Sequence, residues 1–364
     1  MKINISLVII ALLLFGCKSQ KGEYVCKPCD QECDLLAFTK PGICPHCKMD
    51  LIPKSEAPTF EDMITKNIQI KMGSGNFVIE DSKNQKKRAI KVFYHKPENF
   101  KPDSKILMVI PGAGRNGDSY RDAWIEESEK YGVLVVALQY PEIYYAFEEY
   151  HLGGLITNPN LQESITYSEN SNQVHLDEDN FNFEINTNSE TWIFNDFDRI
   201  FDLVVHATNS NQTQYDIFGH SAGGQILHRL ALFYPNNKAN YILAANAGFY
   251  TLPDMQSPLP FGVKGSNLVE ENLKTSFKNK LVICLGALDN EHETRGTLLR
   301  SETVDKQGQG RFSRGHYFFQ YSKKLANKMN AQFNWSTYIV PNSGHDHQKM
   351  GNAVGYFLYA NTAK

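Results

Sequence analysis

Apolar residues along this chain come in short blocks separated by polar segments. Ile106-Leu107-Met108-Val109-Ile110 and Val133-Leu134-Val135-Val136-Ala137-Leu138 are unbroken apolar runs. Runs of this kind predict strands buried on both faces, as in a sheet covered by helices on each side. Ala89 to Tyr94, Tyr215 to Phe218, Tyr241 to Ala245, Leu281 to Leu285 and Trp335 to Val340 repeat the theme. Segments with helical spacing lie between them, among them Ser119 to Lys130 and Gln225 to Phe233. Strands alternating with helices predict an α/β domain, a doubly wound, mostly parallel sheet. The stretch 141–191 breaks the pattern, being polar, rich in Asn and Tyr, and without clear periodicity. A loop that long inside a compact domain predicts a lid or a wall of a binding site. A disordered surface insertion is the alternative.

The first apolar run, Ile3 to Phe15, follows Lys2 and ends in Leu14-Phe15-Gly16-Cys17. It is shorter than a membrane-spanning helix and has the form of a targeting segment. Its end resembles a bacterial lipobox, which implies a lipoprotein signal peptide with its lipobox cysteine over 1–17, cleaved before Cys17, with lipid attached to the Cys17 sulfur. An uncleaved anchor or an ordinary secretory signal is the alternative. The resemblance implies a protein of the bacterial cell envelope, tethered to a membrane at the outer membrane or the periplasmic face. Formal net charge is -3, with no long basic or acidic block, which gives nucleic-acid binding no support.

Five of the seven cysteines crowd between Cys26 and Cys47. Cys26-x-x-Cys29 and Cys44-x-x-Cys47 form two knuckles whose spacing lets four thiolates converge on one metal ion, and such an ion can fold a segment too short to bury a core. Cys26, Cys29, Cys44 and Cys47 are the expected ligands, Cys33 and His46 the substitutes, and disulfide pairing the rival in an oxidising envelope. Cys44-Pro45-His46-Cys47-Lys48-Met49 and its flanks resemble the small heavy-metal-binding domain of bacterial efflux components and related envelope proteins. That family continues its opening with Cys-Pro-Met-His where this chain has Lys27-Pro28-Cys29, a departure that moves the expected set towards all-cysteine zinc. The module is expected over 22–54 as a structural staple, followed by a polar linker over 55–74 and the α/β domain over 75–364.

The candidate chemistry lies in Gly219-His220-Ser221-Ala222-Gly223, set between an apolar run and a helical segment. A serine on a sharp strand-to-helix turn has an exposed hydroxyl, and the flanking glycines let neighbouring backbone approach. A serine hydroxyl needs a histidine to take its proton and a carboxylate to orient that histidine. Asp289 follows the apolar run Leu281 to Leu285, and His345 follows Trp335 to Val340, the order serine, acid, histidine of doubly wound hydrolases. The rivals are Glu291, Glu293 and Asp305 for the acid and His347 for the base, while His220 and His228 are read as packing or pocket residues.

Oxyanion donors are expected at the Ala222 amide and at Ala113, or Gly114, in the glycine-containing turn after Ile110. Gly112-Ala113-Gly114-Arg115-Asn116-Gly117 has the Gly-x-Gly-x-x-Gly spacing, a weak signal by itself, and no Gly-Lys-Ser/Thr occurs in the chain, so nucleotide binding is not expected. Arg115, Asn116, Tyr120, Asn246 and Tyr250 are candidates for the pocket.

These motifs are similar to those of the α/β-hydrolase superfamily, and Pro111 to Trp124 is similar to the oxyanion loop of bacterial esterases related to polyhydroxyalkanoate depolymerases. Pro111 stands where those enzymes carry a loop-supporting histidine. Ala245 to Tyr250 and Gln309 to Gly315 also look like stretches of this group. The resemblance implies a serine hydrolase acting on carboxylic esters, small or polymeric, through an acyl-enzyme and without a catalytic cofactor. A serine peptidase and a non-catalytic, metal-linked binding or sensory lipoprotein are the alternatives.

Overall fold

The computed structural model describes residues 23–27, 29, 32–81 and 87–360. Cys17 and the targeting segment lie outside the described residues, and among those described no helix is long and apolar enough to cross a membrane. The chain divides between Pro58 and Thr59 into two units, inside the stretch expected as linker. That stretch is not featureless. Thr59 caps a short helix, Phe60–Met63, its hydroxyl accepting from the Asp62 amide while the Asp62 carboxylate accepts from the Thr59 amide.

In the first unit, strands Ala37–Phe38 and Leu51–Pro53 flank Tyr24–Cys26, both antiparallel to it. Among the described residues of this unit, the buried apolar groups are Cys26, Cys33 and Cys44, with Phe38, Met49 and Leu51 packed around them. So small a core gives little hydrophobic stabilisation, and cohesion must come from the sulfurs.

The second unit is built on an eight-stranded sheet: β1 Gly73–Glu80, β2 Ala89–Lys96, β3 Ile106–Ile110, β4 Leu134–Gln139, β5 Tyr215–His220, β6 Ala239–Ala245, β7 Lys280–Gly286 and β8 Ser336–Val340. The spatial order is β8-β7-β6-β5-β3-β4-β2-β1. β2 runs antiparallel to both β1 and β4, and every other neighbouring pair is parallel. Alternate residues of one strand feed opposite cores, so Ile106, Met108 and Ile110 face one layer, and Leu107 and Val109 the other. Helices Gly117–Asp122 (α1), Ile125–Tyr131 (α2), Phe194–Thr208 (α3), Ala222–Phe233 (α4), Glu270–Lys278 (α5), Arg311–Lys328 (α6) and His347–Tyr359 (α7) follow the strands. The helix expected over Ser119 to Lys130 is interrupted at Trp124, which is buried at 2% exposure and sits edge-on against Phe218.

The stretch 141–191 is ordered by small pieces. It holds helix Phe147–His151, the antiparallel pair Ile156–Thr157 with Glu184–Ile185, and Ile165–Tyr167 with Gln173–Leu176. The last of these strands also pairs in parallel with Leu298–Arg300, from beyond β7. Strands of two to four residues are too short to show a period in the sequence.

Candidate active site

Three loops converge at the carboxyl ends of the parallel strands. After β5 the chain reverses into α4 through Ser221, whose φ of 59° and ψ of -116° is a conformation that residues with a side chain rarely adopt. Such backbone strain costs of order 1–3 kcal/mol and persists only where the surroundings enforce it. Gly219 and Gly223 make the turn possible. A Cβ on Gly219 would stand 2.5 Å from the Gly223 backbone, and one on Gly223 would run into the Ile110 carbonyl. The Ser221 amide is pinned to the Ala245 carbonyl at 2.9 Å.

His345 arrives from the loop after β8 and Asp289 from the loop after β7. His345 Nε2 lies 3.0 Å from Ser221 Oγ, and its Nδ1 lies 2.7 Å from Asp289 Oδ2. A carboxylate only accepts, so Nδ1 carries the proton and Nε2 is left to accept from the serine hydroxyl. Burial holds the His345 imidazole below the ordinary histidine range, opposed by the hydrogen bond to Asp289. The ring is therefore neutral at neutral pH, the form that can take a proton.

The rivals are placed elsewhere. His347 stacks on Tyr120 with ring centres 4.3 Å apart. His228 is tied into the core between the Gly224 carbonyl and the Thr251 amide, and His220 Nδ1 meets the Tyr120 hydroxyl at 3.3 Å. Asp305 pairs with Arg300 and Arg314, and Glu291 lies beside His292 on the surface. Glu293 accepts from the His345 backbone amide at 2.8 Å and pairs with Arg295, so it fixes the loop and not the ring. The Arg295 guanidinium holds the Glu293 carboxyl well below the usual carboxylate range.

Arg311 was not foreseen as a site residue. Its guanidinium donates to Asp289 Oδ1 at 2.9 Å, with both side chains almost fully buried, and to the Gly296 and Thr297 carbonyls. The second carboxylate oxygen is thus engaged, which leaves the first to face His345. In sequence Gln309 to Gly315 carries only a resemblance, because nothing in its local pattern says which buried acid an arginine will meet.

Ala113 and Ala222 flank Ser221 on a cavity of about 670 Å³. Ala222 is the first residue of α4, where a helix leaves its amide without an internal acceptor. Asn116 and Tyr120 line the cavity as expected. The other three pocket candidates do not. Arg115 is buried and turned away, its guanidinium donating to the Tyr140 and Tyr145 carbonyls. Asn246 ties loops together, donating to the Gly344 carbonyl and accepting from the Gly286 amide. Tyr250 is buried in the core, stacked on Phe318 at 4.7 Å. In sequence these polar side chains near the strand ends are pocket candidates, whereas in the fold Arg115 and Asn246 brace loops and Tyr250 packs in the core. The insertion supplies the outer wall of the cavity, with Leu161, Ile165, Val174, Leu176 and Phe181 facing Phe249 and Phe261.

In the small unit, the sulfurs of Cys26, Cys29, Cys33 and Cys47 lie within 4.8 Å of one another. Four thiolates on one tetrahedral ion would be spaced at about 3.8 Å, given bonds of about 2.3 Å, so this donor set fits a thiophilic metal. Cys33, carried on the turn Glu32–Leu35, takes the place expected for Cys44. Cys44 is fully buried against Cys26, Cys33 and Cys47 but does not join the group that includes Cys29. The Asp34 carboxylate accepts from the Cys29 amide at 2.8 Å, tying Cys29 to the turn that carries Cys33. The Cys26 and Cys47 sulfurs are 3.0 Å apart, beyond disulfide length.

The family described as heavy metal binding domain matches residues 37–54. No curated protein sequence matches the chain. Among solved structures, poly(aspartic acid) hydrolase-1 from Sphingomonas sp. KT-1 is 30% identical, with a TM-score of 0.67 over 80% of this chain and 100% of that one. A poly(3-hydroxybutyrate) depolymerase from Bordetella parapertussis is 24% identical, with a TM-score of 0.66 over 81% of this chain and 92% of its own, a likeness of fold. The sheet order, the strained serine turn and the full-length match to the Sphingomonas hydrolase lead to one assignment: behind its metal-binding module, the chain belongs to the α/β-hydrolase superfamily of serine hydrolases.

Proposed function

We propose that the protein hydrolyses carboxylic esters through an acyl-enzyme on Ser221. The observation that carries this reading is the unbroken series from Ser221 Oγ through the His345 ring to Asp289, with both contacts at 3.0 Å or less. Ser221 attacks the ester carbonyl carbon as its proton passes to His345 Nε2, while Asp289 holds the Nδ1 proton and stabilises the imidazolium. The Ala113 and Ala222 amides hold the oxyanion. Collapse expels the alcohol, which takes its proton from His345. Water, deprotonated by the same ring, then attacks the acyl-enzyme and releases the acid. The apolar wall of the cavity suits an acyl chain.

A second reading, amide hydrolysis by the same groups, is supported by the Sphingomonas relative, a poly(aspartic acid) hydrolase. The test compares wild type with Ser221→Ala on p-nitrophenyl esters of graded chain length and on a peptide-linked aspartate polymer. Ser221→Ala should lower kcat by about 10⁴-fold or more. Variant hydrolysis near the wild-type rate overturns the proposal, and turnover of the polymer alone moves it to the amide reading.

The cysteine cluster is proposed to hold Zn²⁺ as a structural ion on Cys26, Cys29, Cys33 and Cys47, to be checked by metal analysis of the purified chain. Lipidation of Cys17, tethering the enzyme to a membrane of the bacterial cell envelope, is proposed from the sequence. Labelling with radioactive palmitate should be lost in Cys17→Ala.

A further inference from the structure

The loop 111–116 is held from outside by the first turn of the 141–191 insertion, and we propose that Tyr150 and Arg115 are positioning residues that set the direction of the Ala113 amide. This rests on the serine-hydrolase reading above. A trans peptide keeps its C=O and N–H antiparallel. The Gly112 carbonyl is held inside a turn by the Arg115 amide at 3.0 Å, so the other end of the same peptide, the Ala113 N–H, must point the opposite way. The preceding peptide is fixed as well, because the buried Tyr150 hydroxyl donates to the Pro111 carbonyl at 2.7 Å.

Arg115 closes this turn with a φ of 51°, left-handed and disfavoured for any residue with a Cβ. Its side chain accounts for the conformation. The guanidinium donates to the Tyr145 carbonyl at 2.7 Å and the Tyr140 carbonyl at 3.1 Å, and it lies 4.7 Å above the centre of the Tyr150 ring. Arg115 and Tyr150 therefore form one stack joining the loop to the insertion. On the inner side the loop has no slack, since a Cβ on Gly112 would stand 2.8 Å from the Tyr120 hydroxyl and 3.4 Å from Ser221 Cβ. An oxyanion donor lowers the barrier only if its direction is set before charge develops. The insertion thus walls the cavity with its later strands and orients the oxyanion donor with its first helix.

Tyr150→Phe removes one hydroxyl and keeps the ring beneath Arg115. On p-nitrophenyl butyrate, kcat should fall about 10- to 100-fold with KM within about twofold. The rate constant for phosphonylation of Ser221 by a fluorophosphonate should fall by the same factor, with the melting temperature lowered by no more than a few degrees for the one lost hydrogen bond. Arg115→Met should behave alike, and Arg115→Lys should recover part of the loss. A Tyr150→Phe enzyme with wild-type kcat and labelling rate overturns the positioning role alone. So does a loss seen only in KM, or one that tracks melting temperature while labelling is unaffected. Wild type that neither turns over the ester nor labels at Ser221 removes the serine-hydrolase reading, and this inference with it.

Discussion

The two units gather reactive side chains in opposite ways. In the small unit the cysteine sulfurs come from one short stretch, with Cys26 and Cys47 only 21 residues apart. Cys33 and Asp34 lie on a single turn, tied to Cys29 of the first knuckle by the Asp34 carboxylate. In the large unit Ser221 and His345 are 124 residues apart, and their meeting depends on the order of β5, β7 and β8 in the sheet. The first cluster supplies the cohesion of its unit, while the second depends on the cohesion of its own. Local sites are therefore expected to be thermodynamically coupled to their ligand, and sheet-borne sites to the core.

The largest test of that contrast is metal removal from the full chain. Structural zinc contributes on the order of 10 kcal/mol to folding in small modules. Chelation should abolish amide-exchange protection across 24–53, with hydrolysis held within about twofold. Protection surviving chelation would show that the small core suffices without a metal.

Asp289→Asn should lower kcat by about 10⁴-fold in enzyme that is still folded at the assay temperature, because an amide no longer enforces the Nδ1 proton. It should also lower the melting temperature, because the buried Arg311 loses its counter-charge. A loss below about tenfold would show that the sheet alone orients His345.

Arg311→Met should cost less. A hydrogen bond to a buried charge contributes about 1.5–3 kcal/mol, which corresponds to about a 10- to 100-fold fall in kcat. It also has a second signature. The Arg311 charge pushes the His345 pKa down, so its removal should move the acid limb of the kcat/KM profile to higher pH. A fall in rate with an unmoved limb would separate orientation from charge.

The smallest effect is in the wild-type profile. The neutral ring is the base, so activity is lost as pH falls through the His345 pKa. Burial holds that pKa below its ordinary value, so the limb should lie below about pH 6.5. A limb at or above that pH would mean that Asp289 outweighs burial.

Much of this was legible in the chain. Ile106 to Ile110 and Val133 to Leu138 are apolar without interruption because both faces of those strands are covered, so sequence and burial carry the same signal. β1 was missed because Gly73-Ser74-Gly75-Asn76 opens an edge strand where polar side chains meet solvent. Ser221, Asp289 and His345 could be named because each follows a strand that announces itself.

Arg115, Asn246 and Tyr250 were misplaced for a different reason. A polar side chain beside a strand end looks the same in sequence whether it faces a cavity, a carbonyl or the core. Spacing ranks Cys44 above Cys33, the reverse of the group the fold assembles, since spacing counts ligands but does not say which sulfurs lie close together.

The sequence by itself determined the strand and helix alternation, the serine turn with its two glycines, and the cysteine content of the metal site. Each follows from local patterning or from steric limits on a few neighbouring residues. Only the tertiary structure decided that Arg311 holds the second oxygen of Asp289, that Glu293 holds the His345 backbone, and that the polar stretch after Pro141 grips the loop at Pro111. Those partners are chosen by the geometry of packed strands, which brings together residues whose separation along the chain carries no mark of their contact.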